Sequence, residues 1–98
     1  MADIERVQEM EKSLNDCVSA LQSLNGELEK FNALRERMIR LFHYYGSEGW
    51  YQDREGELPA DVPAGVLSEA AVYDLITDVR EAAFRMLETG TDILKNRI

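Results

Sequence analysis

Cysteine and proline are scarce in this sequence, and no long run of hydrophobic residues occurs. The single cysteine, Cys17, has no second thiol for an internal disulfide, which is typical of a protein from a reducing compartment. There is neither an apolar signal-peptide core near the N-terminus nor a stretch of about 18 apolar residues. We therefore expect a cytoplasmic protein without a membrane span.

Basic residues are also few, since the 98 residues include 11 Lys and Arg against 19 Asp and Glu, a net charge of −8. Binding to a phosphate backbone draws its energy from Lys and Arg, so this balance argues against direct nucleic-acid binding. The negative charge is concentrated in residues 47–78, which contain eight acids and a single base, Arg54, for a net charge of −7. This distribution predicts a protein partner with a basic surface.

The chain is short for a protein that is stable by itself. Its 98 residues and 45% hydrophobic content are those of one small globular domain. A domain of this size buries little apolar surface, and a second copy of the chain is a common source of the missing stability. We therefore predict a homodimer.

Apolar residues in the first half recur at intervals of three and four, the period of an amphipathic helix. The pattern predicts one helix over about residues 3–45, with Asp3 as its N-cap and Gly46 as the left-handed residue that ends it. A break at Asn25-Gly26, which would create a third helix, is the alternative. The apolar positions are Val7, Met10, Leu14, Cys17, Leu21, Leu24, Leu28 and Phe31 and, after one shortened step, Leu34, Met38, Leu41 and Tyr45.

The periodicity fails between residues 46 and 67, which contain four of the six glycines and both prolines. We interpret this segment as a loop, and Trp50 and Tyr51 within it favour an ordered one. A second helix is predicted over about residues 68–97, with Ser68 as its N-cap and Leu67 packing on Val72.

Two long helices with one connection predict an all-α fold, an antiparallel helical hairpin whose helices are joined by a long ordered loop. The first helix is longer than the second, so part of its apolar stripe has no partner within the hairpin. Dimerisation into a four-helix bundle, with packing like that of a coiled coil, is the simplest way to cover this stripe. We treat residues 1–98 as a single helical-hairpin domain.

No residue set in the sequence demands a particular chemistry. Cys17 and His43, the only thiol and imidazole, would lie about 39 Å apart on one continuous helix at about 1.5 Å per residue. The acids that begin at Asp53 alternate as in a calcium loop, but Leu58 and Ala64 stand where an EF-hand has Gly and Glu. We therefore predict no metal site, no cofactor and no catalytic residue, and we expect that the protein is not an enzyme.

Aromatic residues and carboxylates occur together around the predicted loop, a combination typical of protein interfaces. A structural interpretation is also open, in which the aromatic residues cap the helix pair. The acids would then pair with Arg35, Arg37 and Arg40. The candidate partner-binding residues are Trp50, Tyr51, Asp53, Glu55, Glu57, Asp61 and Tyr73.

Two stretches carry a family resemblance. Residues 50–61 read WYQDREGELPAD, and residues 65–75 read GVLSEAAVYDL. They resemble the uncharacterised bacterial domain-of-unknown-function family 4298, whose signature looks like W-x-x-D-x-E-G-x-L-P-x-D followed by G-V-L-S-E-x-A-V-Y. The resemblance implies a small single-domain helical protein from bacteria or their phages, and it implies no activity. The matching positions include Trp50, Asp53, Glu55, Gly56, Leu58, Pro59, Asp61, Gly65, Ser68 and Tyr73.

Two functional hypotheses follow from these patterns. The leading one is a non-enzymatic protein-binding module that docks its acidic, aromatic loop end on a basic protein surface, for example as an inhibitor or immunity-type protein. The rival is a structural, bundle-forming adaptor or assembly component that acts through its helix stripes. The two differ in whether the loop charges or the apolar stripes make the essential contacts.

Overall fold

The computed structural model of the protein describes residues 1–96, and every regular element in that range is helical. The predicted all-α class is thereby confirmed for the described part of the chain. No helix within it is long and apolar enough to cross a membrane. The elements are α1 (Ile4–Ala33), α2 (Arg35–Tyr44), α3 (Glu48–Glu55), a 3₁₀ turn (Gly65–Leu67) and α4 (Glu69–Lys95).

Contacts between residues divide the chain into two compact units, Met1–Arg37 and the part that starts at Met38. The first unit is built on α1. Asp3 caps this helix as predicted, since its side chain accepts a hydrogen bond from the Arg6 backbone N–H at 3.1 Å. The helix continues through Asn25-Gly26, so the alternative of a break at that point is wrong.

The single helix predicted over residues 3–45 is nevertheless interrupted, at Leu34. The Leu34 backbone N–H is shared between the carbonyl oxygens of Lys30, at 3.3 Å, and Phe31, at 3.1 Å. Sharing of this kind tightens a helical turn toward 3₁₀ geometry. The interruption coincides with the shortened step of the apolar pattern between Phe31 and Leu34, where a three-residue spacing replaces the expected four.

In the second unit, α2 ends one residue before the predicted position. Gly46 adopts the left-handed conformation expected of it, with φ of 76°. The Ser47 backbone N–H then bonds to the Tyr44 carbonyl oxygen at 3.0 Å, which closes the turn. The chain leaves this turn directly into another helix.

That helix, α3, lies inside the segment predicted to be a loop, and this part of the prediction is wrong. Ser47 is its N-cap and accepts a hydrogen bond from the Trp50 backbone N–H at 3.2 Å, while Glu48 places a negative charge on its first turn. At eight residues, α3 is too short to show a helical apolar period. The 3₁₀ turn ends the same segment, so its non-helical backbone is limited to residues 46–47 and 56–64.

The start of α4 agrees with the prediction. Ser68 is the N-cap, and its hydroxyl accepts a hydrogen bond from the Ala71 backbone N–H at 3.4 Å. Val72 is 3% exposed and Leu67 is half-buried, as a hydrophobic staple between them requires. The helix extends to Lys95, and its predicted end at residue 97 lies outside the described residues.

Gly46 and Gly26 provide a matched test of this backbone. A Cβ at either position would have no neighbouring atom within 4 Å, so only conformation distinguishes them. Gly46→Ala should lower the free energy of unfolding by about 1–2 kcal/mol because Ala is strained at positive φ. Gly26→Ala, within α1, should raise it by about 1 kcal/mol through helix propensity. Urea unfolding followed by circular dichroism measures both, and shifts in the same direction would contradict the assignment.

Candidate functional site

The second unit is organised around Trp50. This side chain is 2% exposed, and together with Val72 it forms the buried apolar core of the described residues. Its indole Nε1–H donates to the backbone carbonyl oxygen of Val66 at 2.9 Å. The bond joins α3 to the 3₁₀ turn that precedes α4. Trp50, predicted as a partner-binding residue, is therefore buried, and it stabilises the packing of the second unit.

Three further side chains surround the indole. The Tyr45 and Tyr51 rings pack edge-on against it, with ring centroids 5.1 and 5.0 Å away. The guanidinium carbon of Arg54 lies 5.1 Å from the ring centroid, within the range of a cation–π contact. Each of the two aromatic pairs contributes about 0.5–1.5 kcal/mol to stability, in addition to the free energy gained by burying apolar area.

The first residue of α4, Glu69, is held from two sides. Its backbone carbonyl oxygen accepts a hydrogen bond from the Tyr45 hydroxyl at 2.8 Å. Its carboxylate forms an ion pair with Arg54, Nη1 to Oε1 at 2.8 Å. Exposed ion pairs contribute only about 0–1 kcal/mol, so the pair orients the groups more than it stabilises them. These bonds attach the start of α4 to α3 and to Tyr45, the residue that follows α2.

Among the predicted acids, Asp53 is the one whose side chain has a hydrogen-bond partner among the described residues: although exposed, it accepts a hydrogen bond from the Tyr44 hydroxyl at 2.5 Å. This hydrogen bond, with smaller effects from desolvation and from the charge of Asp53, raises the pKa of Tyr44 above 10.0. The raised pKa means that Tyr44 remains the protonated donor of this bond to a higher pH than an ordinary tyrosine would. Of the predicted site residues, Asp53 thus has a structural role that fixes α3 to the end of α2.

The remaining predicted acids, Glu55, Glu57 and Asp61, are exposed. Within the second unit, the one ion pair between described residues is that of Arg54 with Glu69, so none of these three acids has a basic partner there. The expected pairing of loop acids with Arg40 is absent from the same residues. Their negative charge is directed to solvent.

Two exposed tyrosines complete the set of predicted residues. Tyr51 is 52% exposed although one edge of its ring contacts Trp50, and Tyr73 on α4 is 61% exposed. The structure joins Trp50, Tyr51 and Asp53 on α3, but it gives Tyr73 no side-chain hydrogen bond to any described residue. Leu58 and Val62, in the irregular segment, are large apolar residues that are also exposed.

One face of α3 combines these features. Glu48, Tyr51 and Glu55 are spaced three and four residues apart, so they are neighbours on the helix surface. All three are exposed, whereas Trp50 is on the inward side. We call Glu48, Tyr51 and Glu55, with Glu57 and Asp61 of the following segment, the acidic surface. Glu48 is not among the predicted site residues, because in a loop, as this segment was expected to be, no helical spacing relates it to Tyr51 and Glu55.

The bonds that join Glu69 to Tyr45 and to Arg54 were also not identified from the sequence. These bonds join positions 15 to 24 residues apart, and no local spacing in the sequence signals such contacts. The described residues contain no group of three or more His, Cys, Asp or Glu side chains placed to hold a metal ion. The candidate site is an exposed surface that combines carboxylates with an aromatic side chain.

A protein-family comparison matches residues 7–89 to a family described as a domain of unknown function, DUF4298. The match includes all of the acidic surface and most of α1 and α4. No curated protein matches the chain.

The indole hydrogen bond can be tested by Trp50→Phe, which retains a buried ring but leaves the Val66 carbonyl oxygen without its donor. We expect a loss of about 1–3 kcal/mol in the free energy of unfolding, because the variant loses the hydrogen bond and also fills the buried site with a smaller ring. Tyr51→Phe is the control, because the Tyr51 hydroxyl has no hydrogen bond to a described residue, and it should change stability little. Equal urea midpoints for Trp50→Phe and the wild type would show that the bond does not organise the unit.

Proposed function

We propose that this chain, which belongs to the domain-of-unknown-function family DUF4298, is a non-enzymatic protein-binding module. It uses the acidic surface to dock on a basic surface of another protein. The family description names no activity, so the proposal is drawn from the surface itself.

The observation that carries the proposal is that Glu55, Glu57 and Asp61 are exposed and lack a basic partner within the described second unit, beside a helix fixed by Trp50. Carboxylates without internal counter-ions keep their full negative field, which attracts and orients a basic partner. A fixed surface also loses less conformational entropy on binding than a mobile loop does.

Exposed Tyr51 adds an anchor to this charge. Aromatic residues rimmed by charge are enriched at the energetic centres of protein interfaces. Leu58 and Val62, both exposed, supply apolar area in the adjoining segment. The combination fits a protein partner better than a small cation, because an ion would use the carboxylates and leave the tyrosine and the aliphatic side chains in water.

A concrete version of the proposal is an inhibitor or immunity-type protein. Carboxylates presented in a fixed pattern can occupy the basic site where a partner holds phosphates, and so exclude nucleic acid from it. The charge of the chain supports this version, since residues 47–78 have a net charge of −7.

The test is a charge-neutral triple variant, Glu55→Gln, Glu57→Gln and Asp61→Asn, used as bait in affinity purification from the native host at low salt. Asp53 is left intact because it holds Tyr44. The control variant, Glu81→Gln, Glu88→Gln and Asp92→Asn, removes the same charge from exposed positions of α4.

We expect wild type and control to capture the same basic protein and the triple variant to lose it. With the purified partner, the triple variant should bind roughly tenfold more weakly, since exposed ion pairs contribute about 0.2–1 kcal/mol each. Equal loss in both variants would mean that only net charge matters. Unchanged binding by the triple variant would refute the proposal.

A second candidate function, a bundle-forming adaptor or assembly component, is favoured by α1, which has no buried residue. In this version the long helices pair as an antiparallel hairpin, and two copies form a four-helix bundle. The apolar face of α4 supports the bundle because its exposed residues span about 120° of the helix surface at about 3.6 residues per turn, from Leu75 and Ile93 to Leu87. Leu21→Asp, added to the affinity experiment, distinguishes the candidates: it should abolish capture by an adaptor.

A further inference from the structure

The apolar side chains of α1 form a regular seam. Over four consecutive heptads, the first and fourth positions are all apolar or cysteine. Six of these side chains are between 41% and 57% exposed, and α1 contains no buried residue. The seam consists of Val7, Leu14, Leu21 and Leu28 at the first position and Met10, Cys17, Leu24 and Phe31 at the fourth.

The length of the seam matches the length of the helix. It extends about 36 Å from Val7 to Phe31 at about 1.5 Å per residue. Beyond Phe31 the heptad phase is lost, and the helix is interrupted three residues later, at Leu34. A continuous apolar strip of this length is rarely left in water by a soluble protein.

We propose that this seam packs against the same seam of a second copy of the chain, with the two α1 helices parallel and in register. The inference deepens the dimer proposed above and does not depend on the acidic surface.

Charge complementarity favours the parallel arrangement. Two positions flank the seam in each heptad: the residue just before the first position and the residue just after the fourth. In parallel helices, the first of these faces the second on the other helix, five residues further along. Arg6 of one copy then faces Glu11 of the other, which gives two attractive pairs per dimer. The other flanking positions are uncharged in α1 except Glu27, which faces the neutral Asn32, so no like charges meet.

The antiparallel arrangement lacks this support. With all seam positions in contact, antiparallel helices place Met10 opposite Leu28 and Val7 opposite Phe31. Arg6 then faces the apolar Leu34, and Glu27 faces Ser13, so no opposite charges are paired. A shift by one heptad brings Arg6 to Glu27 but leaves Leu28 and Phe31 without partners.

The experiment combines mass and crosslinking. Sedimentation equilibrium of the wild type should give twice the 11.2 kDa chain mass. Three single-cysteine chains are then made in a Cys17→Ser background: Met10→Cys and Leu28→Cys within the seam, and Lys12→Cys on the opposite side of the helix as the control. Circular dichroism and sedimentation check that each remains helical and dimeric.

After mild oxidation in a glutathione buffer, Met10→Cys and Leu28→Cys should each form disulfide-linked dimers, with at least tenfold less from Lys12→Cys. In an equimolar mixture of the two seam variants, mass spectrometry should find the two like-with-like products. Predominance of the mixed product would overturn the parallel arrangement, because antiparallel helices bring position 10 to position 28.

The remaining outcomes are equally decisive. A dimer without crosslinks at either seam position would overturn the contact between α1 helices while leaving the dimer itself. A monomer mass would overturn both this inference and the proposed dimer. Neither result would affect the acidic surface, which is tested by its own charge variants.

Discussion

The indole of Trp50 is where the elements of the second unit meet. Its N–H satisfies the Val66 carbonyl oxygen, its ring packs between Tyr45 and Tyr51, and its face receives Arg54. Burial of a large aromatic ring removes more apolar area from water than any other single side chain offers. Because only Val72 is comparably buried among the described residues, the unit depends on this one ring for its order.

The position of the negative charge follows from this packing. With Trp50 on the inward side of α3, Glu48, Tyr51 and Glu55 are turned outward, and Glu57 and Asp61 of the following segment are exposed as well. Arg54, the only base among residues 47–78, is used internally, over the indole and against Glu69. The one base of this segment is thus paired with Glu69, and it forms no ion pair with Glu55, Glu57 or Asp61. The packing of Trp50 inside the unit leaves the carboxylates of α3 exposed to solvent.

The helix boundaries could be predicted from the sequence, because they depend on neighbouring residues. The packing between distant residues could not. Asp3, Gly46 and Ser68 mark helix boundaries because capping and positive φ depend on a few adjacent atoms. The helix α3 was not predicted, because eight residues with one buried side chain show no helical period of apolar residues. Its boundary signals, a left-handed glycine followed by a serine cap and Glu48, were nevertheless present in the sequence.

The candidate site shows the same division. Sequence composition placed acids and aromatic residues in one segment, but it could not distinguish the buried Trp50 and the hydrogen-bonded Asp53 from the exposed Tyr51 and Glu55. That distinction depends on bonds such as Tyr44 to Asp53 and Tyr45 to Glu69, which require the folded arrangement. The interruption at Leu34 was visible only as a shortened apolar step, which by itself does not say whether a helix bends, tightens or ends.

Whether Trp50 holds the acidic segment as an ordered surface can be measured by hydrogen exchange followed by NMR. We expect the Trp50 indole proton and the backbone amides of α3 to exchange slowly and at similar rates, because they are released only when the unit opens. An indole proton that exchanges as fast as that of an unfolded peptide would show that Trp50 does not hold the segment, and the carboxylates would then belong to a mobile loop.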